Sequence, residues 1–251
     1  MRRFFITVCS IMIALASVAS PALAGPPLIT DDPGTPGDGN WEINFAFAME
    51  RRDSETRFEA PILDVNYGWG DHVQLKFEIP WIILHEEGDS TKNGIGNSSL
   101  GVKWRFLGEK TDGFSVSFYP KLEFNTPGSS SDDRGLVDKG TSFAIPFQAA
   151  KGFGPVGLNL DLGYAFIEHN RNEWLCGLAL SYEISDRFKL VGELAGNALS
   201  DFNEHELVTN LGAVWQVSKH LALPMSVGRS IHDSEGDGAE LLSYIGVQLI
   251  Y

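Results

Sequence analysis

Eight charged side chains recur at a spacing that could line a water-filled path: Lys76 and Glu78, Lys103 and Arg105, Lys121 and Glu123, with Asp161 and Glu193 further along. The first six form three pairs two residues apart, and most of the residues between and beside them are apolar, as in Leu75-Lys76-Phe77-Glu78-Ile79. On an extended chain a spacing of two puts both members of a pair on one face. Glu42, Asp64 and Glu183 fall on the same face of their own segments. Basic residues facing carboxylates across a narrow lumen would set up a transverse field, and rings of charge are how pores choose among solutes. The competing expectation is that these charges pair and fill the interior as a structural network.

Other residues could do other chemistry. Asp31 and Asp32 lie in a Pro- and Gly-rich stretch, 25–39, that could fold into the mouth of a pore as a hatch, its carboxylates meeting lumen cations. His85, His169, His205 and His232 each have carboxylates nearby, but their spacings match no metal-ligand pattern. A hydrated acidic rim, bridged to lipopolysaccharide by Mg²⁺ or Ca²⁺, is expected instead, with no bound metal and no cofactor. His232-Asp233-Ser234 gives the His-x-Ser of outer-membrane phospholipase A, a barrel of twelve strands. Here Glu235-Gly236 follows in place of Asn-Gly, and no orienting partner or oxyanion hole is visible. Lipid hydrolysis is therefore the remote alternative, and no enzyme activity is expected. Cys176 is expected to be a small apolar strand residue.

The elements that must position these groups show a period of two. In 156–166 the even positions read Val156, Leu158, Leu160, Leu162, Tyr164 and Phe166, against Gly157, Asn159, Asp161, Gly163 and Ala165. Such alternation marks strands with two different faces. It recurs in about twelve segments: 40–52, 56–67, 72–84, 95–107, 114–126, 141–151, 156–168, 173–184, 188–200, 206–218, 221–231 and 239–251. The parity slips in 56–67, where a bulge near Pro61 is expected. Compact connections, such as Gly68–Asp71 and Gly152–Pro155, alternate with longer polar ones, such as His85–Gly94, Pro127–Gly140 and His232–Gly238. That is the layout of an all-β, antiparallel up-and-down outer-membrane barrel with short periplasmic turns. An even strand count closes the sheet, so no edge is left unpaired in hydrocarbon. Trp41, Tyr67, Trp69, Trp104, Tyr182, Trp215 and Tyr251 collect at the periplasmic ends, and Trp81, Phe124, Phe166 and Trp174 at the outer ends, as two interfacial belts require. The charged parity must then face the lumen.

Residues 1–24 read as a cleaved signal peptide: Arg2-Arg3, an apolar stretch from Phe4 to Ala19, and Ala22-Leu23-Ala24 as the cleavage pattern. Removing Arg2 and Arg3 takes the net charge from −14 to −16, and most of the acidic excess lies in the longer connections. Nucleic acid is excluded as a partner, since phosphate binding needs a positive field.

The start of the expected mature chain, with Thr30-Asp31-Asp32-Pro33, the Gly-x-Gly-x-x-Glu run from Gly37 to Glu42, and the turn Tyr67-Gly68-Trp69-Gly70-Asp71-His72, resembles the outer-membrane family of the MetA pathway of phenol degradation. The specific motif spans about 45 residues; the layout extends over the whole mature chain. The resemblance implies a channel or transport role, with small aromatic compounds as the solutes, and supplies no catalytic residues. Leu249-Ile250-Tyr251 resembles the aromatic-ended signal read by the barrel assembly machinery. The expectation is a signal peptide (1–24), a periplasmic N-terminal segment (25–39) and an outer-membrane barrel (40–251). Its partners are outer-membrane lipid and lipopolysaccharide, the assembly machinery and a small solute for passive uptake. A closed-lumen structural or surface-interaction barrel is the alternative.

Overall fold

The computed structural model describes residues 25–108 and 114–251. The expected signal peptide lies outside them, as do residues 109–113 of the expected Gly108–Gly113 turn.

Fifteen strands form one antiparallel sheet. They are β1 (Trp41–Arg51), β2 (Glu55–Trp69), β3 (Val73–Glu86), β4 (Lys92–Ile95), β5 (Ser98–Leu107), β6 (Phe114–Phe118), β7 (Lys121–Phe124), β8 (Thr141–Ala144) and β9 (Phe147–Phe153). There follow β10 (Val156–Ile167), β11 (Glu173–Ser185), β12 (Phe188–Leu199), β13 (His205–Ser218), β14 (Leu221–Asp233) and β15 (Leu241–Ile250). β4 with β5, β6 with β7, and β8 with β9 each continue as one stave, because each pair shares the same neighbouring staves. The result is the expected twelve-stave barrel. β1 pairs with β15 from Glu42↔Ile250 to Arg51↔Leu241, and Trp41 and Tyr251 exchange both backbone hydrogen bonds, at 2.7 and 2.9 Å. Closure leaves no bare edge for hydrocarbon to desolvate.

The two parities divide as the sequence requires. Phe45, Phe47, Leu75, Phe77, Leu162, Leu180, Leu211 and Val247 form the outer surface, while Asn44, Asp64, Gln74, Lys103, Asn159, Glu193 and Asn210 are buried inside. The apolar exposed band is the surface that acyl chains cover, and this is a barrel of the bacterial outer membrane. Leu211 is 69% exposed in the middle of β13. Leu211→Lys is expected to cost about 2–4 kcal/mol near mid-depth, read as a lowered urea midpoint for the lipid-folded barrel.

The wall is interrupted on one side. The staves break at Gly96–Asn97, Tyr119–Pro120 and Ile145–Pro146, and the β2–β3 register slips between Glu59 and Ile62, which places the expected bulge at Pro61. Pro120 and Pro146 have no N–H for the ladder, yet their carbonyls still accept, from Val102 N–H at 3.1 Å and Tyr119 N–H at 2.9 Å. Tyr119 keeps the inward parity of Ser115 and Ser117 across the break and is fully buried. Gly101 makes room for it: a side-chain carbon there would stand 2.7 Å from Tyr119 Cε2.

Candidate functional site

The lumen is built from the inward parity, and the N-terminal segment lies within it. Thr30 is 2% exposed, and Asp32 and Pro33 are buried. Glu193, on β12, receives the backbone N–H groups of Ile29 (2.8 Å) and Thr30 (2.7 Å) and the side-chain amide of Asn210 (2.7 Å). Lys103, on β5, is 3% exposed and donates to Asp31 Oδ1 (3.0 Å) and to the Asp32 carbonyl (2.6 Å). Ser226 donates to the Pro27 carbonyl at 2.7 Å, Gly39 N–H to the Gly68 carbonyl at 3.0 Å, and Gly70 N–H to Asp38 at 2.9 Å. The segment is thus fastened to β2, β5, β12 and β14 and to the turn after β2. Burial works to raise the Asp31 carboxyl, but the ammonium groups of Lys103, Lys76 and Lys121 outweigh it and hold that group at about 2. Burial has the upper hand at Asp32 and pushes it well up.

Around this contact lies a paired network. Lys76 bridges Asp64 (3.3 Å) and Glu78 (2.9 Å), and Asp64 also takes the amides of Asn44 and Asn66 at 3.1 Å each. Lys103 and Lys121 flank the Tyr119 ring, at 4.8 and 5.3 Å from its centroid. Ser117 donates to Gln148 at 2.7 Å, and Asp161 lies 3.5 Å from the Gln148 amide and from Asp31 N. Of the residues singled out in the sequence, Lys76, Lys103, Lys121, Asp161 and Glu193 thus gather with Asp31 and Asp32. Glu78 and Glu123 open toward the outer vestibule, where Asn97 donates to Glu123 at 2.9 Å. Arg105 stands apart at the periplasmic rim, donating to the Asp71 carbonyl at 2.6 Å. Sequence reasoning missed Tyr119 and the uncharged polar lining of Asn44, Asn66, Gln148 and Asn210. Their parity was the available signal. It also missed Leu136, 1% exposed, which brings the connection after β7 inside to pack on Ile82 and Leu84. The Leu136-Val137 pair in an otherwise polar loop was the clue.

Cavities lie along the lumen among the described residues. One of 340 Å³ opens at the periplasmic end, lined by Gly25, Asp31, Asp32, Glu42 and Lys189 among others. One of 500 Å³ lies between the inserted loop and the wall, lined by Glu59, Glu78, Leu84, Glu123 and Leu136. A third, of 360 Å³, rests on the outer side of the N-terminal segment. Ile29, Leu175, Ala195, Val208, Ala239 and Leu242 give it apolar walls, Thr30, Lys121 and Asp161 line its polar floor, and Glu50, Arg52, Glu173, Asn197 and Glu206 add charged and polar groups around it. Thr30 Oγ1 and Asp161 Oδ1 are buried with no hydrogen-bond partner among the described residues.

The fit of the segment depends on Gly177, where a side-chain carbon would stand 2.4 Å from Thr30 Oγ1. Gly177→Ala is expected to displace the segment while leaving the wall intact. The check is faster protease cleavage within 25–39, with an unchanged unfolding midpoint for the barrel.

At the outer rim His205 Nε2 and His232 Nε2 are 3.1 Å apart, and Ser234 Oγ accepts from His205 N–H at 2.9 Å. The His232 ring therefore meets His205 rather than the serine hydroxyl. No group of three or more His, Cys, Asp or Glu side chains is gathered as a metal site among the described residues. Cys176 lies on β11, paired with the lipid-facing Leu162.

A closed barrel with a lipid-facing apolar band and a polar, occupied lumen defines an outer-membrane barrel of the porin-like kind. The chain belongs to the family described as MetA-pathway of phenol degradation, whose profile matches residues 24–245. Its fold is similar to that of the COG4313 outer membrane channel from Pseudomonas putida F1, with a TM-score of 0.73 at 13% identity over 91% of this chain and 100% of that one. It is also similar to the NanC porin (TM-score 0.61, 9% identity, 82% and 98% covered) and to the CymD monoaromatic hydrocarbon channel (0.51, 6%, 85% and 89%). No curated protein matches the chain.

Proposed function

We propose that this protein is a channel for passive uptake of a small solute, with residues 25–39 as a hatch and Lys76, Lys103, Lys121, Asp161 and Glu193 as the charges a solute meets once the hatch moves. The observation that carries this reading is the 360 Å³ cavity seated on the outer side of the hatch. Its size falls within the range of small-molecule sites, and its apolar walls face converging polar and charged groups, as in sites that orient a small solute. The unpartnered Thr30 Oγ1 and Asp161 Oδ1 suit a compact, mostly apolar molecule that offers one or two hydroxyls. The "monoaromatic hydrocarbon" in the name of one structural neighbour accords with that class.

Filling the cavity tests the reading. Ala195→Phe is expected to lower the uptake of a small hydroxylated aromatic such as benzyl alcohol into proteoliposomes by about tenfold, a typical discrimination for a shaped apolar pocket. Flux equal to that of the unmodified barrel would remove the cavity from the path.

A further inference from the structure

We propose that the α-ammonium group of Gly25, freed by cleavage after Ala24, is a built-in fastening cation of the hatch, donating its three protons to the Thr30 carbonyl and to the carboxylates of Asp31 and Asp32. The inference rests on the cleavage expected from the sequence.

Gly25 is buried, and its nitrogen already donates to the Thr30 carbonyl at 3.1 Å. A side-chain carbon placed on Gly25 would stand 3.5 Å from Asp31 Oδ1 and 3.6 Å from Asp32 Oδ2. The nitrogen shares that Cα and lies about 2.5 Å from the position of that carbon, so both carboxylate oxygens fall within about 6 Å of it. A peptide nitrogen has one proton for these acceptors, whereas an ammonium has three. The charges around the hatch call for such a group. Lys103 reaches Asp31 Oδ1 but meets Asp32 only at its backbone carbonyl, and Asp32 Oδ1 takes the Gly34 N–H. Among the described residues the Asp32 carboxylate is therefore buried without a direct ion pair, which is unfavourable unless a cation comes close. Burial's upward push on the Asp32 carboxyl is consistent with that missing charge. Gly25 lines the 340 Å³ cavity at the periplasmic end, the compartment in which the leader is removed. Docking of the hatch is thereby tied to processing: a chain that keeps its leader has neither the charge nor the two extra donors.

The reporter is Thr30→Cys in a Cys176→Ala background, labelled with a water-soluble maleimide, a readout that does not depend on conduction. Intact mass of the protein purified from outer membranes should give a chain beginning at Gly25. Any other start overturns the expected cleavage, and the inference with it. Three refolded forms are then compared: one starting at Gly25, one carrying two serines ahead of it, and one starting at Gly25 with its α-amine alone carbamylated before folding, at a pH where the lysines stay protonated and with peptide mapping to show Lys103 unmodified. Labelling is expected to be at least about tenfold faster in the second and third forms, since each leaves the Asp32 carboxylate buried without a cation at its side. Equal rates in all three would overturn the fastening role and leave the cleavage reading standing. Acceleration by the serines alone would show that bulk matters and charge does not, and would also overturn it.

Discussion

Deleting residues 25–39 is expected to raise the single-channel conductance of the refolded barrel by about tenfold or more, because the segment is buried inside a lumen of intermediate width. The wall does not need the segment. β1 enters its ladder at Trp41 and is paired along its length with β2 and β15, so every backbone group that faces lipid keeps its partner after the deletion. What is lost is a set of lumen contacts: Glu193 to Ile29 and Thr30, Lys103 to Asp31 and Asp32, and Ser226 to Pro27. Water would replace them. The exposed lining then holds Glu42, Asp64, Glu78, Asp161 and Glu193 against Lys76, Lys103 and Lys121, so the open channel should favour cations. Planar-bilayer recording with asymmetric salt reads both conductance and selectivity. An unchanged conductance would mean that the Lys76–Asp64–Glu78 network and the inserted Leu136 loop close the lumen by themselves, which is the structural-barrel alternative.

The barrel was legible in the sequence because one force writes it in a period of two. Each residue of 156–166 meets either acyl chains or the lumen, and the alternation of leucine with Asn159 and Asp161 needs no long-range information to be read. Closure followed from the even count and from the requirement that backbone groups in hydrocarbon be paired. The three broken staves were not legible. Pro120 and Pro146 are visible as prolines, but whether a proline ends a strand or merely bends it depends on the neighbour across the ladder, and here Val102 and Tyr119 use the proline carbonyls to continue the sheet. The site was half legible for a related reason. Parity placed Lys76, Lys103, Lys121, Asp161 and Glu193 inside, yet parity says nothing about depth or partner. Arg105 shares the face of Lys103 but lies at the rim on the Asp71 carbonyl, while Lys103 is sealed under Asp31. The seat of Thr30 against Gly177 is a contact between residues far apart in the chain, and no local pattern encodes it.

The difference between those two neighbouring cations yields the second large expected effect. Lys103→Met should undock the hatch, whereas Arg105→Met should leave it in place. Lys103 is almost fully buried, bonds both Asp31 and Asp32, and lies over the Tyr119 ring. Removing one partner of a buried pair strands the other charge, at a cost of about 3–5 kcal/mol. Asp31 would then face Asp161 and Asp32 with only the more distant Lys76 and Lys121 to offset them. A penalty of that size shifts a docking equilibrium by roughly two to four orders of magnitude, enough to turn a closed lumen into one open most of the time. Arg105 loses only a contact to a backbone carbonyl at the water-exposed rim, worth about 1 kcal/mol. The double variant Lys103→Met with Asp31→Asn separates mechanism from damage. Neutralising both partners removes the stranded carboxylate, so the pair should recover much of the docking that Lys103→Met loses. Protease protection of 25–39 and single-channel open probability are the two readouts. If the double variant is as open as the single one, the ion pair is not what holds the hatch, and Glu193 with its three N–H donors becomes the remaining anchor.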